Sequence, residues 1–248
     1  MRLVASMMVK NELTRYLPLA AEHLLTYVDE IRVVDDGSTD GTFEWLQARD
    51  GVEVMRNPGP SFFEHEGKAR QNLYRHTLQG LPDYVLAIDA DEFVTNPSYL
   101  RVAMEGAGAV YTLSLVEAWA ISDRGIDIRV DGHWGPRRVP ILYQIIRQSR
   151  HWRISPKQLA CGREPEQVIQ RSRRATATGS EVIHFGWTNE QERTVRAQRY
   201  YDHDNGKFHQ SRHLQSILWT DQRVRMRRLP WPPSLKHLED GLTAASQS

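Results

Sequence analysis

Apolar residues fall in short blocks separated by polar clusters through the first hundred positions. Residues 3–9, LVASMMV, make a strand-length apolar run that stops at Lys10-Asn11-Glu12. Residues 13–27 place Leu17, Ala20, Ala21, Leu24 and Leu25 at helical spacing, with Pro18 in the first turn or at a local kink. The pattern predicts a second strand over 30–34, a short helix over 42–48 and a third strand over 52–56. Asn57-Pro58-Gly59-Pro60 marks a loop. Residues 67–78 are helical in pattern, with Ala69, Leu73 and Leu78 available for packing, and Val85-Leu86-Ala87-Ile88 reads as a buried strand. Strands alternating with helices predict a mostly parallel α/β sheet covered on both faces.

Beyond residue 96 the pattern loosens. Strands are expected over 109–116 and 139–147, separated by a polar, glycine-bearing loop or short hairpin at 121–138. Residues 181–187, EVIHFGW, predict a short strand ending in a turn, and 189–201 a charged helix. The LPWPP segment from Leu229 can be neither helix nor central strand. The last eight residues, GLTAASQS, have the composition of a disordered end.

At 248 residues with 40% hydrophobic and 9% aromatic content, the chain can bury a sizeable core as one large domain or two small ones. Its 32 basic and 31 acidic residues nearly cancel, which argues against a general nucleic-acid binder. The basic residues nonetheless crowd into 137–174 and 223–228. The single cysteine, Cys161, excludes an internal disulfide and a cysteine-built zinc site. No run approaches the ~18 apolar residues of a transmembrane segment. The chain enters a strand-like run at once, without signal-peptide regions. A cytoplasmic protein is the expectation.

The chemistry concentrates where two strands end. The run 85–88 stops at Asp89, Asp91 and Glu92. Side chains two apart in a strand share a face, so Asp89 and Asp91 would sit side by side at its carboxyl end. Two such carboxylates repel unless a cation lies between them. Oxygen ligands suit Mg²⁺ or Mn²⁺, which keep part of their shell for substrate phosphates. Ligands of open α/β sheets also bind beyond the carboxyl ends of strands. The alternative is a solvated acidic turn. The second cluster, Asp35-Asp36-Gly37-Ser38, offers a carboxylate for a ligand's imide or hydroxyl, or simply leads into the next helix as cap residues. An EF-hand loop fails at its twelfth position, which is Gln47.

Taken in order, strand–LysAsnGlu, strand–AspAspGlySerThrAspGlyThr and strand–AspAlaAspGlu resemble the family 2 glycosyltransferases, with their nucleotide-sugar-binding GT-A fold. The resemblance covers residues 1 to about 96. It continues more loosely to His184-Phe185-Gly186-Trp187 and the Arg-rich helix after it, a pattern of a small branch found in bacteria and phages. It implies a GT-A-like domain over 1–220, with a nucleotide-binding half to about 96 and an acceptor side beyond. Residues 221–248 are then a C-terminal extension, helical and partly disordered. It also implies roles. Asp36 would bind the nucleobase, Asn11 and Glu12 would flank base and ribose, and Asp89 would touch the ribose or a metal-bound water. Asp91 and His184 would hold Mn²⁺ or Mg²⁺. Lys68 and Arg70 would supply charge for the phosphates, with Asn72 near them; Gln71 interrupts the family's Ala-Arg-Asn helix start.

The implied reaction moves a sugar from a nucleotide-diphosphate donor, a UDP-sugar by preference, to a hydroxyl on a glycan, a protein or a modified nucleic acid. An inverting enzyme needs a carboxylate as general base. Glu164 and Glu166, either side of Pro165, are the candidates, with Asp123 and Asp127 in reserve. Aromatics interleaved with arginines over 134–157 suit sugar stacking and phosphates, or a solvated basic face. Two rivals remain. A phosphohydrolase of the haloacid dehalogenase type also ends a strand in Asp-x-Asp, but wants Thr or Val where Phe93 stands and leaves Asp35-Asp36 without a role. A non-catalytic nucleotide-sugar-binding protein would keep the fold without turnover.

Overall fold

The computed structural model describes residues 1–157, 161–203, 212–219 and 223–247. Four strands build its parallel core: β1 (Leu3–Val9), β2 (Glu30–Asp35), β3 (Val52–Arg56) and β4 (Tyr84–Ala87), in the order β3-β2-β1-β4. These strands are the near-continuous apolar runs of the sequence, buried because helices cover them. Leu3, Val4, Ala5, Val33, Val34, Val85 and Leu86 are fully buried. The covering helices are α1 (Leu17–Leu25), α2 (Thr42–Gln47) and α3 (Phe62–Gln79). Because all four strands point one way, the segments after Val9, Asp35, Arg56 and Ala87 emerge at one edge.

The second half extends the sheet with antiparallel strands. β8 (Arg137–Gln144) pairs with β4 and with β6 (Val110–Ser122); β7 (Gly125–Arg129) pairs with β6, and β10 (Met226–Leu229) with β7. β9 (Thr176–His184) lies parallel to β6 and antiparallel to the short β5 (Glu92–Val94). Helices α4 (Ser98–Met104), α5 (Glu166–Arg171) and α6 (Glu190–His203) complete this half.

Several elements differ from the sequence expectation, each for a local reason. The first helix begins at Leu17 rather than residue 13, because the amides of Asn11, Glu12 and Leu13 are taken by side chains of residues 38–42. α3 starts five residues early, where Ser61 and Glu64 form a reciprocal cap. β4 stops at Ala87, so Asp89 and Asp91 lie in the link to β5 and not in a strand. The loop at 121–138 contains a true hairpin, β6–β7. Leu229 closes an edge strand and Pro233 opens a 3-10 turn, as the prolines of LPWPP allow. The C-terminal end is not disordered through residue 247: Glu239–Ala245 is a helix. Leu242 on it is fully buried, in one apolar cluster with Tyr16, Ala20, Trp231, Leu235 and Leu238.

Among the described residues no helix is long and apolar enough to cross a membrane.

Candidate active site

The segments leaving β1, β2 and β4 enclose a cavity of about 640 Å³. The two aspartates after β2 divide their work. Asp35 is fully buried and turns inward: its Oδ2 accepts from the amides of Gly37 and Ser38 (both 3.1 Å) and from Arg56 (2.7 Å). Gly37 adopts φ +82°, which glycine tolerates without strain. That turn leaves Asp36 facing the cavity. Its Oδ1 accepts from Asn57 Nδ2 (2.8 Å) and its Oδ2 from the Phe62 amide (2.9 Å). Asn72 holds Asn57 from behind (3.1 Å).

The rest of the cluster braces the loop after β1. Ser38 accepts from the Asn11 amide, Thr42 from those of Glu12 and Leu13, and Asp40 from that of Leu13; Asn11 Oδ1 accepts from the Thr39 amide. Ser38 and Asp40 are thus committed to backbone amides, and no calcium loop forms. Glu12 is held by Arg15 (2.7 Å), which also lies 3.5 Å from Glu192 on α6. Burial raises the Glu12 carboxyl to about 7, with Arg15 opposing and Asp91 adding to the rise.

Asp89, Asp91 and Glu92 each have a different partner. Arg163 forms a fork on Glu92 (2.6 and 2.9 Å) and reaches Asp89 at 3.1 Å. Asp91 is buried and meets His184 Nε2 at 3.3 Å and Arg196 Nη2 at 2.8 Å. His184 ends β9, where it is the register partner of Glu92 on β5 and of Glu117 on β6. Its Nδ1 bonds the Glu117 carboxylate, which also pairs with Arg137. Burial works against charge on His184, but Asp91 and Glu117 outweigh it and hold the imidazolium well above its ordinary range. Burial likewise opposes ionisation of Asp91, and His184 with Arg196 reverses that, leaving the carboxyl well below the usual range.

The donor set at Asp91 and His184 fits a divalent cation. A carboxylate oxygen and an imidazole nitrogen already meet, and a carboxylate on the other ring nitrogen is the usual support of a metal-bound histidine. A cation there would take the place of the His184 proton. Gly186 keeps the spot open: a Cβ there would lie 2.5 Å from Asp91 Oδ2, 2.6 Å from His184 Nε2 and 2.7 Å from Arg196 Nη1. Among the described residues no three His, Cys, Asp or Glu side chains cluster to hold an ion alone. Mg²⁺ and Mn²⁺ commonly complete their shell with water and substrate phosphate.

The model for glycosyl transferase family 2 matches residues 6–156, more than half of the chain. The chain belongs to that family. Its curated relatives include uncharacterized proteins of Mycobacterium bovis and Mycobacterium tuberculosis, each 27% identical over 214 residues. The match takes in 81% of this chain, which spans about half the length of those relatives. Among solved structures, residues 1–349 of S. aureus TarS share the fold at 15% identity and a TM-score of 0.50, over 88% of this chain and 69% of that one. Glucosyl-3-phosphoglycerate synthase from Mycobacterium tuberculosis, solved with Mn²⁺ and UDP-glucose, overlaps 46% of this chain and 43% of its own (22% identity, TM-score 0.36). The fold is the GT-A class: α/β, with a central sheet and flanking helices.

Of the residues singled out in the sequence, Asn11, Glu12, Asp36, Arg70, Asp89, Asp91 and His184 all line the cavity. Arg70 faces it from α3, paired with Glu66 and stacked over Phe62, while Gln71 accepts from the Ile154 amide. Gln71 therefore sits where it ties α3 to the 154 segment. Lys68 is exposed outside the cavity lining. Glu164 is buried behind Arg163, and Glu166 opens α5; neither lines the cavity. Neither of the reserve candidates lines the cavity: Asp123 is exposed between β6 and β7, and Asp127 pairs with Arg228 at the sheet edge. The sequence reading missed Arg15, Arg163, Glu117, Glu192, Arg196 and Arg199. Three of these had a signal: Glu192, Arg196 and Arg199 are spaced four and three, one face of α6. His184 and α6 lie beyond the stretch that the family model matches.

Proposed function

We propose that this chain transfers a glycosyl group, with inversion, from a nucleotide-diphosphate sugar to a hydroxyl acceptor, using Mn²⁺ or Mg²⁺. The observation that carries the reading is that Asp36, Asp89, Asp91 and His184, from three separate segments, face one cavity at the carboxyl ends of β2, β4 and β9. A phosphohydrolase would leave Asp36, and the Asn57 and Phe62 amide groups that aim it, without a purpose.

Asp36 is an acceptor held by two donors. Uracil offers it an imide N–H, as thymine does, and cytosine does not; a UDP-sugar is the donor we favour. Asn11 and Glu12 flank base and ribose, Asp89 takes the ribose side, and Arg70 faces the phosphates from α3. Asp91 and His184 hold the cation, which when bound offsets the charge growing on the leaving diphosphate. The acceptor oxygen forms its bond to the anomeric carbon as the carbon–oxygen bond to the diphosphate breaks. The hydroxyl proton passes to a carboxylate, which we assign to Glu192, because it lines the cavity directly. The second assignment is Glu164: burial raises its carboxyl above the ordinary range, Arg163 opposing, but it lies behind that arginine, which touches Asp89. Glu166 is the reserve on the same turn.

Thermal unfolding with UDP, GDP, CDP and dTDP, each with and without Mn²⁺, tests the reading. A ligand at ~100 times its Kd adds about 2.7 kcal/mol, roughly a 5–10 °C shift here. The expected result is a Mn²⁺-dependent shift with UDP that Asp91→Ala abolishes. Glu192→Gln should keep that shift and lose transfer; loss in Glu164→Gln instead moves the base to the turn before α5. A shift only with Mg²⁺ and a phosphate mimic would overturn the transferase in favour of a phosphohydrolase.

A further inference from the structure

A strongly basic surface lies outside the cavity. The segment 145–157 leaves β8 and runs along α3, where the Gly67 amide donates to Lys157 O. It presents Arg147, Arg150, Arg153 and Lys157, all exposed. The helical run 166–174 packs against it: the Glu166 amide donates to Arg153 O (2.9 Å), Gln167 accepts from the Arg153 amide (3.2 Å), and Arg171 stacks 4.8 Å above Trp152. That run adds Arg171, Arg173 and Arg174, also exposed. The ion pairs of the region belong to Arg137 and Arg163; none of these seven cations is ion-paired among the described residues. Only two acids occur between 145 and 174: Glu164 is buried and Glu166 half-buried.

A chain of formal charge +1 has therefore gathered seven uncompensated cations on two adjoining segments. Their repulsion is relieved when a partner supplies the opposite charge. Two features select the partner. The indole of the segment, Trp152, is 5% exposed and covered by Arg171, which leaves the smaller ring of His151 as the exposed one for a nucleic-acid base to stack on. In contrast Ile169 is 42% exposed and stands four residues from Arg173, on the same side of the helical run. Cations with an apolar residue among them match the phosphate plane and the acyl boundary of a membrane. We propose that this flank docks on an anionic lipid bilayer. The flank adjoins the cavity: Arg163, on the turn that leads into α5, touches Asp89. A docked molecule would thus hold its reactive edge close to the lipid surface.

The test is sedimentation of the full chain with vesicles, which reads binding without needing transferase activity. Phosphatidylcholine vesicles are compared with vesicles containing about one-third phosphatidylglycerol. The expected result is pelleting with the anionic vesicles only, weakened by salt. Each removed charge should lower partitioning about fivefold, so Arg147→Ser, Arg173→Ser and Arg174→Ser together should lower it about 100-fold. The nucleotide-dependent thermal shift of that triple variant should match the parent, which shows an intact fold. Ile169→Ser should weaken binding severalfold at unchanged charge. No pelleting with anionic vesicles, equal pelleting with neutral ones, or a triple variant that pellets like the parent would overturn the proposal. Binding of polyphosphate or duplex DNA without vesicle binding would also overturn it and assign the flank to a soluble polyanion.

Discussion

Arg196 donates to Asp91 Oδ2 at 2.8 Å while His184 meets Oδ1 of the same carboxylate. The guanidinium thus holds an oxygen that a cation at Asp91 would need. Its plane also lies 5.2 Å from the ring of Trp187, so the side chain is seated and not merely passing. Binding a divalent ion in the empty protein means displacing a buried ion pair.

Arg196→Ala should therefore bind Mn²⁺ more tightly than the parent when no nucleotide is present, by about tenfold, a difference of about 1.4 kcal/mol. The variant should also melt lower without metal, because a buried carboxylate has lost one partner, and recover when Mn²⁺ is added. Mn²⁺ titration by electron paramagnetic resonance gives the affinity. Equal affinities would show that Arg196 does not compete for the site.

Gly186 gives a steric test of the same spot. An alanine Cβ would stand 2.5–2.7 Å from Asp91, His184 and Arg196 together, and those groups hold one another. Gly186→Ala should lower Mn²⁺-dependent nucleotide binding at least tenfold, with circular dichroism unchanged. Normal binding by calorimetry would mean that the cation sits elsewhere.

The ease of reading this site from sequence differed with the kind of contact. Asp36 was legible because a strand runs straight into it and a glycine follows. Asn57, which aims it, was not: within Asn-Pro-Gly-Pro it reads as turn chemistry, and only the fold brings it across to Asp36. Glu117 is one acid inside the long apolar strand β6, with no local sign that His184 lies beside it in register. Asp89 and Asp91 were found for a partly wrong reason, since the strand that should align them ends at Ala87. Asn57→Ala leaves Asp36 with one fewer donor and should weaken UDP binding about five- to tenfold. A calorimetric Kd equal to the parent's would remove Asn57 from the site.

The C-terminal helix was hidden by composition. Its small polar residues read as a loose end, yet Leu242 and its neighbours Leu235 and Leu238 close an apolar cluster over Tyr16. Leu242→Ala should cost about 2–4 kcal/mol in urea unfolding. A cost below about 1 kcal/mol would mean that the helix is not held there in solution.

Glu12 contributes to the pH dependence of folding. Its carboxyl rises from 4.5 to about 7, chiefly through burial, and its Oε2 has no hydrogen-bond partner among the described residues. Between those values the folded chain keeps a proton that the unfolded chain has lost. The native state binds more protons there, so this group's contribution to stability falls as pH rises. It is fully present below about pH 4.5 and lost above about pH 7. The loss is on the order of 3 kcal/mol. Glu12→Gln cannot ionise and should lack that slope, so its stability relative to the parent should increase from pH 5 to about pH 7 and then level off. Urea unfolding of both proteins at half-unit pH steps measures the difference. A constant difference across that range would mean that Glu12 is ionised throughout and that Arg15 alone offsets its burial.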